Sequence, residues 1–245
     1  YCENTEDRIS VKLAMLYNCR SVENLNLKNF DTSNVKDMEY MFYGLVSLES
    51  LDFPRSFDTS QVTDMSYMFQ YCESLTSLNL QYFNTEKVIS FDYMFSDAAK
   101  LAYLNIHSFT TPKATHLNSM FSGMKEITNL DVSNFNTRIA QDLGMMFANC
   151  EKLSSISGID NFDISEVTDM TQMFANCKSL KSFNARNYNG KSLLTALEMF
   201  SGCSSLTEVD LEHLVGQDCY NMESMFANCE SLKKVPFKCK STCYY

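Results

Sequence analysis

The chain has 245 residues, of which 45% are hydrophobic, and its seven glycines and three prolines leave little room for a flexible linker. Thirty acidic against twenty basic residues give a formal net charge of -10, which argues against nucleic acid or an anionic membrane as a partner. No apolar run approaches the roughly 18 residues of a membrane-spanning helix, and the opening YCENTEDRIS does not look like a signal peptide.

An internal repeat dominates the sequence. The dipeptide Met-Phe returns at intervals of 26 or 27 residues, and Met15-Leu16 is a degenerate first copy. The full copies are Met41-Phe42, Met68-Phe69, Met94-Phe95, Met120-Phe121, Met146-Phe147, Met173-Phe174, Met199-Phe200 and Met225-Phe226. Because one such unit cannot bury its apolar residues alone, a period of this length predicts a solenoid of stacked units.

Each unit begins with a predicted strand and a bend. Pairs such as Leu51 and Phe53 enclose one polar residue, and this alternation is typical of a short strand with one buried face. The bend that follows carries one aromatic or apolar residue, expected to be buried, in each unit: Phe30, Phe57, Phe83, Phe109, Phe135, Phe162, Tyr188 and Leu214. The two 27-residue units take their extra residue after the strand, around Pro54-Arg55 and Gly158.

The last predicted element of each unit is a helix. In the first full unit the apolar positions are spaced 3, 3, 1 and 3, which favours one face of about three helical turns: Val35, Met38, Met41, Phe42 and Leu45. Thr32 or Ser33 is expected to cap this helix, and Asp37 to lie in its first turns, where the helix dipole favours a carboxylate.

These elements predict an α/β solenoid of about nine repeats of 26–27 residues. Short parallel strands are expected on one, concave face and short helices on the other. The whole chain, residues 1–245, is interpreted as one domain. Residues 1–20 form a partial capping repeat, residues 21–237 the repeats and residues 238–245 a C-terminal cap.

The repeat resembles a known family. The string LxxLxLxNFDTSxVxDMxxMFxxC, with clean copies at Leu25–Leu45, Leu48–Cys72 and Ile156–Cys177, is similar to the BspA-like leucine-rich-repeat proteins. The resemblance covers roughly residues 9–237. It implies a leucine-rich-repeat stack in a secreted or cell-surface protein used in adhesion, without a catalytic residue.

Six of the ten cysteines occupy one apolar slot of the repeat: Cys19, Cys72, Cys150, Cys177, Cys203 and Cys229. Neighbouring helices pack 8–10 Å apart, and a disulfide needs Cα atoms within about 7 Å. The slot therefore predicts buried free thiols; a metal-binding or redox ladder is the alternative.

The remaining cysteines lie at the ends of the chain, with Cys2 at one end. Cys219, Cys239 and Cys243 cluster at the other, where a terminal repeat needs a cover for its open core. A disulfide between two of these three would fix such a cap. A zinc site is the alternative, although a fourth ligand is not evident.

The outward side of the strands is the predicted binding surface. Its candidate ligand-binding residues are Asn26, Asp52, Asn79, Tyr103, Asn105, His107, Asp131, Asn184 and Asp210. Amides, carboxylates and hydroxyls in rows suit a peptide or a glycan, and an aromatic residue such as Tyr103 often anchors a contact. The alternative for each position is a solubilising residue, with asparagines bonded to one another along the stack. Glu208, Asp210 and Glu212 add an acidic spot.

The sequence favours binding over catalysis. The three histidines fall in different repeat contexts, and neither a phosphate-binding loop nor a nucleophile elbow is present. We expect no cofactor and no metal. The predicted function is a binding or adhesion module that engages a protein or glycan partner at the cell surface or outside the cell. The alternative is a structural subunit of a surface coat, which should expose apolar residues on its helix face.

Overall fold

The computed structural model of the chain describes residues 16–214 and 218–234. Seven short strands recur, one per repeat: β1 Ser50–Leu51, β2 Ser77–Asn79, β3 Tyr103–Asn105, β4 Asn129–Asp131, β5 Ser155–Ser157, β6 Ser182–Asn184 and β7 Glu208–Asp210. The second residue of each strand is apolar and faces the core, so the predicted alternation is confirmed.

Neighbouring strands pair in parallel with the register of the repeat. Leu78 lies opposite Leu51 on one side and Leu104 on the other. The strands form three sheets, with the orders β1-β2-β3, β4-β5 and β6-β7. Consecutive units therefore stack side by side, and the predicted solenoid of short parallel strands is confirmed.

The segments predicted as helices are not helical. In the described ranges the only helix is a 3-10 helix, Ile159–Asn161, and each Met-Phe dipeptide lies in a run of turns. The residue before the methionine has a positive φ in every full repeat, for example +60° at Tyr40 and +53° at Met145. An α-helix of L-residues requires φ near -60° throughout, so the prediction of short helices on this side is wrong.

Stacking explains why turns replace the helices. The N–H groups of Met38 and Phe42 donate to the carbonyls of Asp64 and Met68 in the next repeat, at 3.0 Å each, whereas Met41 donates back to Met38. A stacked neighbour thus supplies acceptors that an isolated helix finds only within itself. Three-residue turns also place residues i and i+3 on one side, which is why the spacing resembled a helix.

A second ladder runs along this side of the core. Parallel bridges connect one residue of each repeat to the next without interruption: Asp37, Asp64, Ser90, His116, Asp142, Asp169, Thr195 and Asn221. Several of these side chains close a local turn, as Asp37 accepts the N–H of Glu39 at 2.9 Å and Asp169 that of Thr171 at 2.7 Å. The prediction that Asp37 lies in the first turns of a helix is therefore wrong, because its carboxylate closes a turn instead.

The core lies between the two ladders and forms one hydrophobic cluster. The Met-Phe dipeptides from Met41-Phe42 to Met199-Phe200 are fully buried, and successive phenylalanines stack, for example Phe121, Phe147 and Phe174 with ring centroids 5.6 and 5.4 Å apart. The residue in the bend is also buried from Phe57 to Leu214, whereas Phe30 is partly buried. The columns found in the sequence are therefore the core.

A threonine column at the bend joins the repeats. The buried hydroxyl of Thr85 donates to the carbonyl of Thr110 in the next repeat at 2.6 Å and accepts its N–H at 2.9 Å. At the first bend, the buried Thr32 hydroxyl has no partner within the described part of the chain. Asp31 accepts from the backbone and the hydroxyl of Ser33 instead, so neither Thr32 nor Ser33 caps a helix.

Both inserted residues lie in loops, as predicted. Gly158 separates β5 from the 3-10 helix with φ +84°, and a Cβ there would lie 2.3 Å from the Cα of Ser133. Glycine is required there because a side chain would both strain the backbone and clash. Residues 1–15, Val215-Gly216 and the predicted cap 238–245 lie outside the described residues.

Candidate functional site

The strand face consists of the outward positions of β1–β7 and the residues beside them. Asn26, Asp52, Asn79, Asp131 and Asn184 are exposed there, as are Tyr103 and His107, whereas Asn105 and Asp210 are half-buried. The structure thus brings the nine candidate residues together along one side of the stack.

Six of these nine side chains are used within the fold. Their Oδ1 atoms accept the backbone N–H two residues later and thereby close the local turn. The six and their donors are Asn26 from Lys28, Asn79 from Gln81, Asn105 from His107, Asp131 from Ser133, Asn184 from Arg186 and Asp210 from Glu212, at 2.9–3.2 Å. We call them the Asx column.

The Asx column also connects neighbouring repeats. The Nδ2 group of Asn105 donates to Oδ1 of Asn79 at 2.9 Å, and Arg186 donates to Asp210 at 3.1 Å. Asp52 cannot close its turn because Pro54, two residues on, has no N–H. The structural interpretation of the asparagines, one of two left open by the sequence, is therefore the better one for this column.

The first outward position of each strand has a different character. This first column comprises Ser50, Ser77, Tyr103, Asn129, Ser155, Ser182 and Glu208, and all seven are exposed. Tyr103 is the largest side chain of this column, and 58% of its surface is exposed. Asn129 and Ser155 hydrogen-bond to each other between neighbouring repeats. The other five side chains close no turn, so they are better placed than the Asx column to contact a partner.

Charge on the strand face is concentrated at its two ends. A groove near the N-terminal end is lined by Glu23 and Glu49, and one near the C-terminal end by Glu208, Asp210 and Glu212 with Lys234. Between them, the Ser133 hydroxyl and N–H hold the pKa of Asp131 below its usual range, with a smaller contribution from His107. Asp52 beside β1 is a further exposed carboxylate, and the outward positions of β2 and β3, between Asp52 and Asp131, carry no charge.

The cysteine slot is a row of buried thiols, except at its start. Cys72, Cys150, Cys177 and Cys203 are free and buried and Cys229 is half-buried, but Cys19 is exposed. The expectation that Cys19 shares the buried slot is wrong, because it belongs to the incomplete first copy. Burial raises the pKa of the Cys72, Cys150 and Cys203 thiols to about 12, so they are neutral and poorly nucleophilic at neutral pH.

The free thiols are not explained by the spacing of neighbouring helices. The expected helix spacing of 8–10 Å does not apply, since the repeats stack as a β-ladder about 4.8 Å apart. Each thiol donates instead to a phenylalanine carbonyl of the preceding repeat, as Cys177 does to Phe147 at 3.1 Å and Cys203 to Phe174 at 3.0 Å. The slot thus places a small donor against a buried carbonyl.

Only one of the three C-terminal cysteines, Cys219, lies among the described residues. Cys219 is a buried free thiol, while Cys239 and Cys243 lie outside the described residues. A disulfide or zinc site involving these two stays a prediction. Within residues 16–214 and 218–234, no group of three or more His, Cys, Asp or Glu is placed to hold a metal ion. The same part of the chain contains no helix long and apolar enough to cross a membrane.

The sequence interpretation missed a tyrosine cluster on the second ladder's side. It comprises Tyr17, Tyr40, Tyr43, Tyr67, Tyr71 and Tyr93. The rings of Tyr40, Tyr67 and Tyr93 stack with centroids 4.6 and 5.0 Å apart, and desolvation raises the pKa of Tyr67, helped by its neighbours Tyr40 and Tyr93. The sequence did contain a signal for this cluster, because tyrosine precedes the Met-Phe dipeptide in these three consecutive repeats.

Leucine columns on stacked parallel strands define the class: the chain is a leucine-rich-repeat solenoid. It belongs to the family described as "Mycoplasma protein of unknown function, DUF285", which matches residues 11–129, 51–156 and 115–238. A search of curated proteins found no similar sequence.

Bacterial leucine-rich-repeat proteins are among the solved structures that are similar to the chain. One from Bacteroides ovatus has 20% identity and a TM-score of 0.36, with 95% of this chain and 71% of that one covered. One from Eubacterium ventriosum has 16% identity and a TM-score of 0.47, with 79% and 56% covered. A leucine rich cell surface protein from Faecalibacterium prausnitzii has 16% identity and a TM-score of 0.32, with 92% and 75% covered.

Proposed function

We propose that the chain is a non-catalytic binding module of a secreted or cell-surface protein, and that its strand face engages a protein or glycan partner in adhesion. The observation that supports this most is that different side chains on that face stabilise the fold and face the solvent. The Asx column closes the turns, while the first column is exposed along seven consecutive repeats. A continuous polar surface of this kind suits an extended partner.

The location outside the cell is inferred from the resemblance to BspA-like surface proteins. An antibody against the chain should stain intact cells of the source organism, and brief treatment of those cells with an added protease should remove the signal. Staining that requires permeabilised cells would contradict this part of the proposal.

Two matched double variants test the strand face. Ser77→Arg with Ser182→Arg places two bulky cations in the first column. Ile89→Arg with Leu194→Arg changes the same two repeats on the other side of the core, since each residue lies twelve positions after its counterpart. Ile89 and Leu194 are 47% and 38% exposed, so both variants should fold.

Binding is measured on immobilised extracellular-matrix proteins and on a glycan array. We expect the unmodified chain to bind at least one of these, the Ser77/Ser182 variant to lose that binding, and the Ile89/Leu194 variant to keep it. Undiminished binding by the Ser77/Ser182 variant, or no binding by the unmodified chain, would contradict the proposal.

A structural subunit is the second candidate, and one observation favours it. The side of the second ladder exposes apolar residues, as such an assembly should: Ile89, Met145, Leu194 and Tyr220. If copies of the chain pack through this side, the purified chain is oligomeric by analytical ultracentrifugation and the Ile89/Leu194 variant is monomeric. A monomeric unmodified chain excludes this candidate.

A further inference from the structure

The middle of the strand face is an uncharged field within a strongly acidic protein. We call the outward positions of β2 and β3, with three residues beside them, the neutral field: Thr76, Ser77, Asn79, Tyr103, Asn105, Thr128 and Asn129. None of these seven carries a charge at neutral pH, although the chain has a net charge of -10 and exposed carboxylates, Asp52 and Asp131, border the field in the repeats on either side. A ligand placed over these strands meets hydroxyls, amides and one aromatic ring.

Tyr103 is the prominent apolar group of the neutral field. Its partner across the strand pair is the much smaller Ser77, and 58% of its surface is exposed. The ring differs in this respect from those of Tyr40 and Tyr67, which stack on each other. The Tyr103 ring is therefore free to pack against a flat apolar surface of a ligand, such as the C–H face of a sugar ring.

The amides beside Tyr103 are held in fixed orientations. Oδ1 of Asn79 accepts from the Gln81 N–H at 3.2 Å and from Nδ2 of Asn105 at 2.9 Å, while Oδ1 of Asn105 accepts from the His107 N–H at 3.2 Å. Nδ2 of Asn79 is left without a partner among the described residues. A donor fixed in this way loses little conformational entropy when a ligand hydroxyl binds to it.

The absence of charge decides between ligand classes. An acidic polysaccharide or peptide is repelled by the net charge of the chain. A basic peptide finds its carboxylate partners outside the field, at Asp52 and Asp131 on its borders and at Glu49 and Glu208 toward the ends of the face. A neutral polyhydroxyl ligand requires only the hydroxyls, amides and ring that the field provides.

We propose that the neutral field binds a neutral oligosaccharide, with Tyr103 packing against a pyranose ring and Nδ2 of Asn79 donating to a sugar hydroxyl. This inference rests on the proposed function, because it assumes that the strand face is the binding face. It goes further by naming the ligand class and the repeats that hold it.

The test is an array of neutral and anionic glycans, with affinities then measured by titration calorimetry. The full chain is compared with Tyr103→Ala, Tyr103→Phe and the control Tyr220→Ala, whose residue is 62% exposed and lies beside the second ladder. We expect binding to neutral glycans, an affinity about tenfold lower for Tyr103→Ala because the packed ring is lost, and little change for the other two. Asn79→Asp keeps the turn acceptor but removes the donor, and should also weaken binding.

Each other outcome overturns the inference. Binding to anionic glycans alone, or equal losses in Tyr103→Ala and Tyr220→Ala, contradicts it. If the array shows no neutral glycan while the Ser77/Ser182 variant still loses a protein partner, the inference fails and the proposed function stands. If that double variant keeps every interaction, both fail. Circular dichroism of each variant shows that the fold is unchanged.

Discussion

The left-handed residue before each methionine allows a substitution whose sign depends on the fold. Met145 has φ +53° and is 37% exposed. We compare Met145→Ala with Met145→Gly, because both remove the side chain beyond Cβ and only glycine also removes the steric cost of a positive φ. In the helix that the spacing suggested, glycine would be the worse residue.

The expected magnitude follows from two opposing contributions. A left-handed conformation costs an L-residue roughly 1–2 kcal/mol, whereas glycine loses about 0.5–1 kcal/mol more conformational free energy than alanine on folding. The glycine variant should therefore be more stable than the alanine variant by about 0.5–1 kcal/mol. A helix at this position would give a difference of about 1 kcal/mol with the opposite sign.

The assay is urea unfolding of the full chain followed by circular dichroism. Gln141 supplies the control pair, since it is exposed, has no positive φ and lies directly before Asp142 of the second ladder. There Gln141→Gly should be less stable than Gln141→Ala by about 0.5–1 kcal/mol. Equal slopes of free energy against urea for all four variants make the comparison valid.

A refuting result is easy to recognise. If Met145→Gly is less stable than Met145→Ala by the same amount as at Gln141, residue 145 is not left-handed in solution. The turns of the second ladder would then be wrong, and the helical interpretation of the repeat would return.

Three further predictions concern buried and capping groups. Thr111→Val removes a hydroxyl that hydrogen-bonds to the carbonyl and the N–H of Asn136 in the next repeat, and it should lower the free energy of unfolding by about 1–3 kcal/mol. Thr32→Val should not lower it, because the Thr32 hydroxyl has no partner in the described part of the chain. Equal losses of stability in thermal unfolding would contradict this prediction. Mass-spectrometric mapping of iodoacetamide labelling should find Cys19 modified rapidly and the buried thiols only after unfolding. Because burial raises the pKa of the buried thiols, the stability they contribute is complete below pH 9 and is lost as the pH rises toward 12. The Ser165 hydroxyl and N–H lower the pKa of Asp163 from 3.8, so the stability contributed by this carboxylate is present above pH 3.8 and is lost as the pH falls through the lowered pKa. Asp163→Asn should therefore flatten the acid side of the curve of stability against pH. An unchanged acid side would exclude this carboxylate as its source.

Much of the fold was accessible from the sequence because burial follows the repeat directly. The columns headed by Val35, Met38 and Leu45 are core columns whichever backbone conformation carries them. The conformation itself was not accessible, since three-residue turns and a helix produce the same apolar spacing. Tyr40 and Met145 in left-handed conformations carry no propensity signal, because the hydrogen bonds that hold them come from the next repeat.

The position of the strand face could be predicted from the sequence, but the roles of its side chains could not. Outward residues of the strands could be read from alternation alone, and the strand face lies where it was expected. The sequence could not separate Asn79, whose oxygen closes a turn, from Ser77, whose side chain is free for a partner. That distinction depends on the backbone N–H two residues later, and only Pro54, which lacks one, shows it in the sequence.

The two ladders have a mechanical consequence. Their hydrogen bonds run along the axis of the stack, from one repeat to the next, so a force that pulls the two termini apart acts on the bonds of one terminal repeat at a time. Each repeat that detaches releases 26 or 27 residues, which extend to roughly 85–95 Å. A protein built in this way would lengthen in discrete steps under load and keep the rest of its stack intact.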